Sequence, residues 1–428
     1  MQRERSNLST YTTPQYTSSL DRGRLTYAMN TYSPATNSDE HFKMRATSLE
    51  LLNEEGHNLF VAGDLTAAKK MFQRASTECT EGMGENDLSI TDVMNNMGLV
   101  CVFLGELTEA RRLLERALRV YESKHGRKHL STLGALNNLG ILDATQGHLE
   151  SAKTLFQLAR TGFEEMLGSD HEAALDAENN LGLVYLAIGD LPRAANALER
   201  ALEQRLRRHG TNHISTIDTL NNLGLVYMDQ DKHSQAREKL LQAVDGKVQL
   251  LGPDHISTLG ACQNLALAEL CLGNLEKAER LLQSALNRSL NHHTRDCTST
   301  CVITPTIMWS YASLRAEQGR LNEALDWYEK ALCGYHEVYG NDHSTCRDLR
   351  EEIKSLWCQE GMRIGHSDGS FVGLRPLVSS DVPLWRSSDR GYSLRQRLRL
   401  RLSSSLTRHS RIQKACRRVR LRLGLVVT

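Results

Sequence analysis

The sequence predicts an all-α repeat solenoid, seven helix pairs wound into a right-handed superhelix and closed by a C-terminal capping helix. Three observations lead there. A six-residue motif recurs at a fixed spacing, and each copy sits between two stretches of helical pattern. The composition, 40% hydrophobic and 24% charged with only 7 prolines and 5% aromatics in 428 residues, favours helix in a soluble chain.

The motif Gly-x-Leu-x-x-Ala appears as GDLTAA at Gly63, GELTEA at Gly105, GHLESA at Gly147, GDLPRA at Gly189, GNLEKA at Gly273 and GRLNEA at Gly319. A degenerate copy, DKHSQA, starts at Asp231, so that successive spacings are 42 five times and then 46. A second alanine follows the motif alanine by seven residues in every unit: Ala75, Ala117, Ala159, Ala201, Ala243, Ala285 and Ala331. A fixed period of this length is the signature of stacked supersecondary units.

Each unit reads as two helices. Before the motif stands a stretch such as MNNMGLVCVFLG or LNNLGLVYMDQD, and after it an alanine-containing stretch such as EARRLLERALRVYESKHG. The motif glycine suits a left-handed stop and tight turn. Small residues such as Gly98 and Ala110 let the paired helices approach closely, and a larger side chain there would overpack the contact by about 1–3 kcal/mol.

These residues resemble the tetratricopeptide pattern W-x2-L-G-x2-Y…A-x3-F-x2-A. In the fourth unit Leu181, Gly182, Tyr185, Ala194, Leu198 and Ala201 stand at the L, G, Y, A, F and A positions, with Glu178 departing from the W. The 42-residue unit, its NNLG openings and its linkers (GTNHIST at Gly210, GPDHIST at Gly252, GNDHST at Gly340) look like the kinesin-light-chain type of repeat. The resemblance covers 43–360 and implies an adaptor that binds an extended segment of another protein. Residues 1–42 are polar, proline-containing and without heptads, so the coiled coil that joins kinesin light chain to its motor is not expected. No Gly-x-x-x-x-Gly-Lys-Ser/Thr phosphate loop is present.

Helical geometry assigns faces within a unit. With the NNLG glycine as position 8, positions 4, 7, 8 and 11 cluster on one side; in the fifth unit these are Leu220, Leu223, Gly224 and Tyr227. Positions 2, 6, 9 and 13 lie opposite, on the expected inside of the superhelix. Position 6 is Asn96, Asn138, Asn180, Asn222 and Asn264, whose amides can both donate to and accept from a peptide backbone. The competing reading is an amide that bridges neighbouring helices or meets water. Position 9 is Leu99, Ile141, Leu183, Leu225 and Leu267, read either as pockets for ligand side chains or as padding between first helices. Position 2 holds Asp92, Asp176 and Asp218, three residues after an expected N-cap such as Ser215; capping explains them, and an acidic mouth favouring neutral or basic peptides follows if they face inward.

Catalysis, a cofactor and a bound metal are not expected. His129, His171, His213 and His255 recur every 42 residues, with His343 in the same linker motif. Equivalent sites in stacked units lie about 8–10 Å apart, whereas zinc–nitrogen bonds are about 2.0–2.1 Å, so a role in the turn before each first helix is expected instead. The longer last spacing contains His292, His293, Cys297 and Cys301, ligand types without a zinc-module spacing, and reads as an extended loop. The ten cysteines show no disulfide framework, no apolar run spans a membrane and no apolar leader opens the chain. A cytoplasmic protein is expected.

The net charge of +1 is unevenly spread. Residues 43–360 carry 33 basic and 44 acidic side chains, while 361–428 carry 14 arginines and one lysine against three aspartates. After a helix in which Leu349, Ile353, Leu356 and Trp357 cap the last unit, and Arg350, Glu351, Glu352 and Lys354 face water, the pattern stops. RQRLRLRL at Arg395 and RRVRLRLGL at Arg417 alternate arginine with apolar residues. That tail suits docking on the acidic body, on anionic membrane or on nucleic acid; an unstructured tail, or one introduced by gene modelling, is the other reading. The expected organisation is 1–42 disordered, 43–360 solenoid and 361–428 basic tail. The leading function is a protein scaffold for an extended peptide of unidentified origin, with no small-molecule substrate. The alternative is a nucleic-acid- or membrane-associated protein led by the tail.

Overall fold

A computed structural model describes residues 40–62, 64–83, 87–293, 303–339, 345–354 and 356. All secondary structure in them is helical. Seven antiparallel pairs follow in order: α1 (Glu40–Ala62) with α2 (Leu65–Met83), α3 (Leu88–Phe103) with α4 (Leu107–His125), α5 (Leu130–Thr145) with α6 (Leu149–Leu167), and α7 (Glu172–Ile188) with α8 (Leu191–His209). Then come α9 (Ile214–Asp229) with α10 (His233–Leu251), α11 (Ile256–Cys271) with α12 (Leu275–His293), and α13 (Ile303–Glu317) with α14 (Leu321–Tyr339). A further helix, α15, covers residues 345–354. Each helix packs chiefly on the one before and the one after it in sequence, the arrangement of a solenoid.

The two helices of a unit differ in kind. First helices such as α3 are mostly apolar and enclosed, with residues 89–103 buried without a break. Second helices such as α8 are amphipathic, burying Ala194, Leu198, Ala201 and Leu202 on one stripe. A helix apolar on every side must be enclosed, whereas one with a single stripe forms a wall. The expected close approach is present. A Cβ on Gly98 would come within 2.8 Å of Leu114, one on Gly140 within 2.7 Å of Phe156, and one on Gly182 within 2.6 Å of Leu198.

The motif turn works as its sequence requires. Gly105, Gly147, Gly189, Gly273 and Gly319 all have positive φ, and in the degenerate copy Asp231 takes that conformation with φ 60°, the only non-glycine among the described residues to do so.

The recurring histidines are the N-caps of the first helices. Nδ1 of His129, His171 and His255 accepts the backbone N–H of Ser131, Ala173 and Ser257 at 3.3, 3.2 and 3.2 Å, the place Asp87 takes before α3 at 2.8 Å. His213 also caps by position, but its Nδ1 meets the Ser215 hydroxyl at 2.7 Å. The expected cap at Ser215 is therefore corrected: α9 starts two residues earlier, with His213 at the N-cap position.

Beyond α14, Cys346 and Leu349 are buried in the last core cluster with Ile353 and Leu356 packed against it. Glu352, expected in water, instead accepts the Trp309 indole N–H at 2.9 Å. Gly63, Cys297, Cys301, Gly340, His343, Trp357, the 1–39 segment and the basic tail lie outside the described residues.

Candidate peptide-binding face

The position-6 asparagines are joined from unit to unit. The amide of Asn96 donates to Asn53 at 3.0 Å, Asn138 to Asn95 at 3.3 Å, Asn180 to Asn137 at 3.1 Å, Asn222 to Asn179 at 3.0 Å and Asn264 to Asn221 at 3.0 Å. Each bond runs from position 6 of one first helix to position 5 of the preceding one. At the last step Gln263 donates forward to the Ser310 hydroxyl at 2.7 Å and the Thr306 carbonyl at 3.2 Å. A polar ladder thus crosses all seven units through an otherwise apolar layer.

The expected open setting of this row is not what the structure presents. Asn96, Asn138, Asn180 and Asn222 are 0% exposed and Asn264 is 4% exposed. The ladder fixes the stagger of consecutive first helices, which explains why asparagine persists where alanine would make the better helix. The position-5 partners Asn95, Asn137, Asn179 and Asn221 are half of this device. The repeated Asn-Asn pair was the sequence signal for them.

The position-9 residues take the padding role. Leu99, Ile141, Leu183 and Leu225 belong to one buried core cluster and Leu267 to the next.

The three aspartates sit at the fifth helical residue, one turn beyond any capping position, and each is latched to the second helix of its own unit. Asp92 accepts from the Tyr121 hydroxyl at 2.6 Å, Asp218 pairs with Lys247 at 2.8 Å, and Asp176 pairs with Arg205. Tyr121, Arg205 and Lys247 occupy one repeat position, 29 residues after the aspartate each time. In the seventh unit the same pair is Thr306 with Tyr335, at 2.8 Å. Arg205, wholly buried, also pairs with Glu172 at 3.0 Å and donates to the Ser215 carbonyl at 3.1 Å and the Thr219 hydroxyl at 2.6 Å, tying the fourth unit to the fifth. Lys247 does likewise for the next junction, donating to Ser257 at 2.6 Å. The carboxylates of Asp176 and Asp218 are therefore balanced by buried cations.

Charge nevertheless divides between the helix types. The first helices α3, α5, α7, α9 and α11 carry Asp92, Asp143, Glu172, Asp176, Glu178, Asp218, Asp229 and Glu269, and no lysine or arginine. The second helices α4, α6, α8, α10 and α12 carry eighteen lysines and arginines against twelve acidic residues. No described helix is long and apolar enough to cross a membrane.

Comparison with known proteins supplies the family. No curated protein sequence matches the chain. Among solved structures, it is similar to a Rap protein complexed with competence and sporulation factor, with 16% identity over 88% of this chain and 99% of that one and a TM-score of 0.51. It is also similar to NprR in complex with its cognate peptide NprX, with 14% identity over 75% of this chain and 89% of that one and a TM-score of 0.51. A third similarity is to the nearly identical TPR-like repeats of a Podosopora anserina putative kinesin light chain, with 22% identity over 47% of this chain and 95% of that one and a TM-score of 0.40. A tetratricopeptide-repeat family model matches residues 47–123, 89–165, 131–207, 173–247 and 215–291, and a second such model matches 313–345. With well over half its length matched in this way, and with helix pairs in 42-residue register, the chain belongs to the tetratricopeptide-repeat family.

Proposed function

We propose that this solenoid is a protein-interaction scaffold and that its partner contributes an extended peptide segment lying along the row of first helices. The observation that carries the reading is the amide row itself, an asparagine at position 6 of five successive first helices in line along the solenoid. Neighbouring helices pack about 8–10 Å apart and an extended chain advances about 3.3 Å per residue, so each unit would meet every third residue of a bound segment. The first helices are buried, so a peptide gains access as the pitch between stacked units opens, a motion that needs only small rotations repeated along a solenoid. The similar NprR structure is a complex with its cognate peptide NprX, which supports a peptide as the partner.

The test is selection of linear peptides from a random library on the full chain, followed by affinity measurements on a variant carrying Asn138→Ala, Asn180→Ala and Asn222→Ala. Selected extended peptides should bind the variant at least several-fold more weakly, since each lost peptide hydrogen bond is worth about 0.5–1.5 kcal/mol. Unchanged affinity in a folded variant would confine the amides to the ladder. Selection of nucleic acid or anionic vesicles, and of no peptide, would favour the tail-led alternative.

A further inference from the structure

We infer that the outer surface of α10 and α12 is a self-association face, on which a second copy of this chain sits across a two-fold axis running between the two helices. The inference goes beyond the peptide-binding reading and does not depend on it, because the contact lies on second helices and not on first ones.

The first observation is where charge is missing. In α8, from 199 to 208, five of the six exposed residues are charged and Leu206 is the sixth. Over the equivalent stretch of α10, 241–250, only Asp245 of six exposed residues is charged, and from 283 to 291 in α12 none of five is. Apolar side chains stand in their place. Leu241, Val248, Leu250 and Leu290 are 47%, 39%, 47% and 41% exposed, although each helix also buries a separate stripe in the core. Val248 and Leu290 occupy one repeat position, which in α4 and α6 holds Glu122 and Glu164. Exposed apolar side chains grouped in this way, with charge depleted among them, mark the centre of an interface.

The occupant follows from the rest of the patch. Gln242, Gln249, Gln283, Ser284, Asn287 and Asn291 surround the apolar residues, and neutral amides and hydroxyls both donate and accept. A face of that kind satisfies itself when turned on a copy, as a two-fold contact demands, and brings no like charges together. With the axis between α10 and α12, each helix meets its repeat equivalent, 42 residues away in sequence. Val248 of one copy then lies opposite Leu290 of the other, and Asp245 opposite Asn287 and not another Asp245. The flanking charges already have partners. Arg207 pairs with Glu203 at 2.5 Å in α8 and Lys330 with Asp326 at 2.7 Å in α14, so these residues make a solvated rim. Area suffices as well. Helices of nineteen residues are about 28 Å long and about 10 Å across, so α10 and α12 with the near sides of α8 and α14 present roughly 800 Å². One partner contributes about that much to an interface of standard size.

The experiment is analytical sedimentation of the full chain from about 1 to 100 μM, as wild type and with Val248→Glu and Leu290→Glu together. Wild type should pass from monomer to dimer over that range. The variant should dissociate at least about tenfold more readily, because its new carboxylates would be enclosed without a cation. Both positions are exposed in the single chain, so the variant should keep the circular dichroism and melting temperature of the wild-type monomer. A second variant, Val248→Glu with Leu290→Lys, should dimerise again, since each new charge then faces its opposite across the axis. A wild type that stays monomeric overturns the inference, whether one of its own terminal segments or a different protein covers the patch. Dimers indifferent to the double glutamate variant place the contact elsewhere and overturn it too. If the glutamate–lysine variant dissociates as readily as the double glutamate one, 248 does not face 290 and the two-fold contact between α10 and α12 is overturned.

Discussion

Lys247 of α10 places its ammonium 2.8 Å from the carboxylate of Asp218 in α9, with both side chains all but closed to solvent. The lysine also donates to Ser257 in the next unit, so one buried cation serves two contacts. In the third unit the same two repeat positions hold Gly134 and Phe163, an apolar answer to the same packing problem.

Replacing Lys247 with methionine should therefore cost about 3–5 kcal/mol, because Asp218 stays buried without its cation. The double variant Asp218→Gly with Lys247→Phe, which transplants the third unit's solution, should recover most of that loss. Urea unfolding midpoints of the two variants against wild type check this; a double variant as unstable as the single one would show that the apolar pair does not transfer.

The ladder predicts a cost that helix propensity alone does not. Asn180→Ala removes the bond to Asn137, worth about 0.5–1.5 kcal/mol net, while alanine returns roughly 0.5 kcal/mol as the better helix former. Thermal unfolding should show a modest loss, and Asn180→Ala combined with Asn137→Ala should cost less than the sum of the two single changes. Strict additivity would mean that the two amides do not act as a pair.

Asp231 occupies a left-handed turn position that is glycine in the other described copies. Left-handed backbone costs a non-glycine residue about 1–2 kcal/mol, less for aspartate, so Asp231→Gly should raise stability by about 0.5–1 kcal/mol. A lowered denaturation midpoint would show that the 4.0 Å contact between Asp231 and His233 outweighs the strain.

Acid should loosen the solenoid before carboxylates titrate. Burial pushes the imidazoles of His129, His171 and His213 below the usual value, with His125, Arg208 and His209 respectively adding repulsion. A cap that accepts a backbone N–H also requires a neutral ring. The unfolded chain thus binds protons first: the stabilisation is fully present above the unfolded value of about 6.5 and is lost as pH falls from there through the lower folded values. Unfolding midpoints measured from pH 7.5 to 5 should fall. His171→Asp, which restores the cap used by Asp87 before α3, should flatten the slope; an unchanged slope would place the acid sensitivity outside the caps.

Much of this could be read in the chain. A period of 42 residues, set by glycine at the turn and alanine at the helix contact, fixes helix pairs and their stacking, because those residue types act through local backbone freedom and side-chain size. The recurring histidines were placed at the turns for the same local reason. What tertiary structure alone decided is where the polar side chains of the first helices spend their hydrogen bonds. A helical wheel sets the direction of Asn180 and Asp176 relative to their own helix, but says nothing of what the next unit brings against them. Asn137 lies 43 residues from Asn180 and Arg205 lies 29 residues from Asp176; the stacking of units brings the first pair within hydrogen-bond range, and the pairing of helices within a unit brings the second. The amides became a ladder and the aspartates became latches because a helix enclosed on every side must satisfy its polar groups inside the fold.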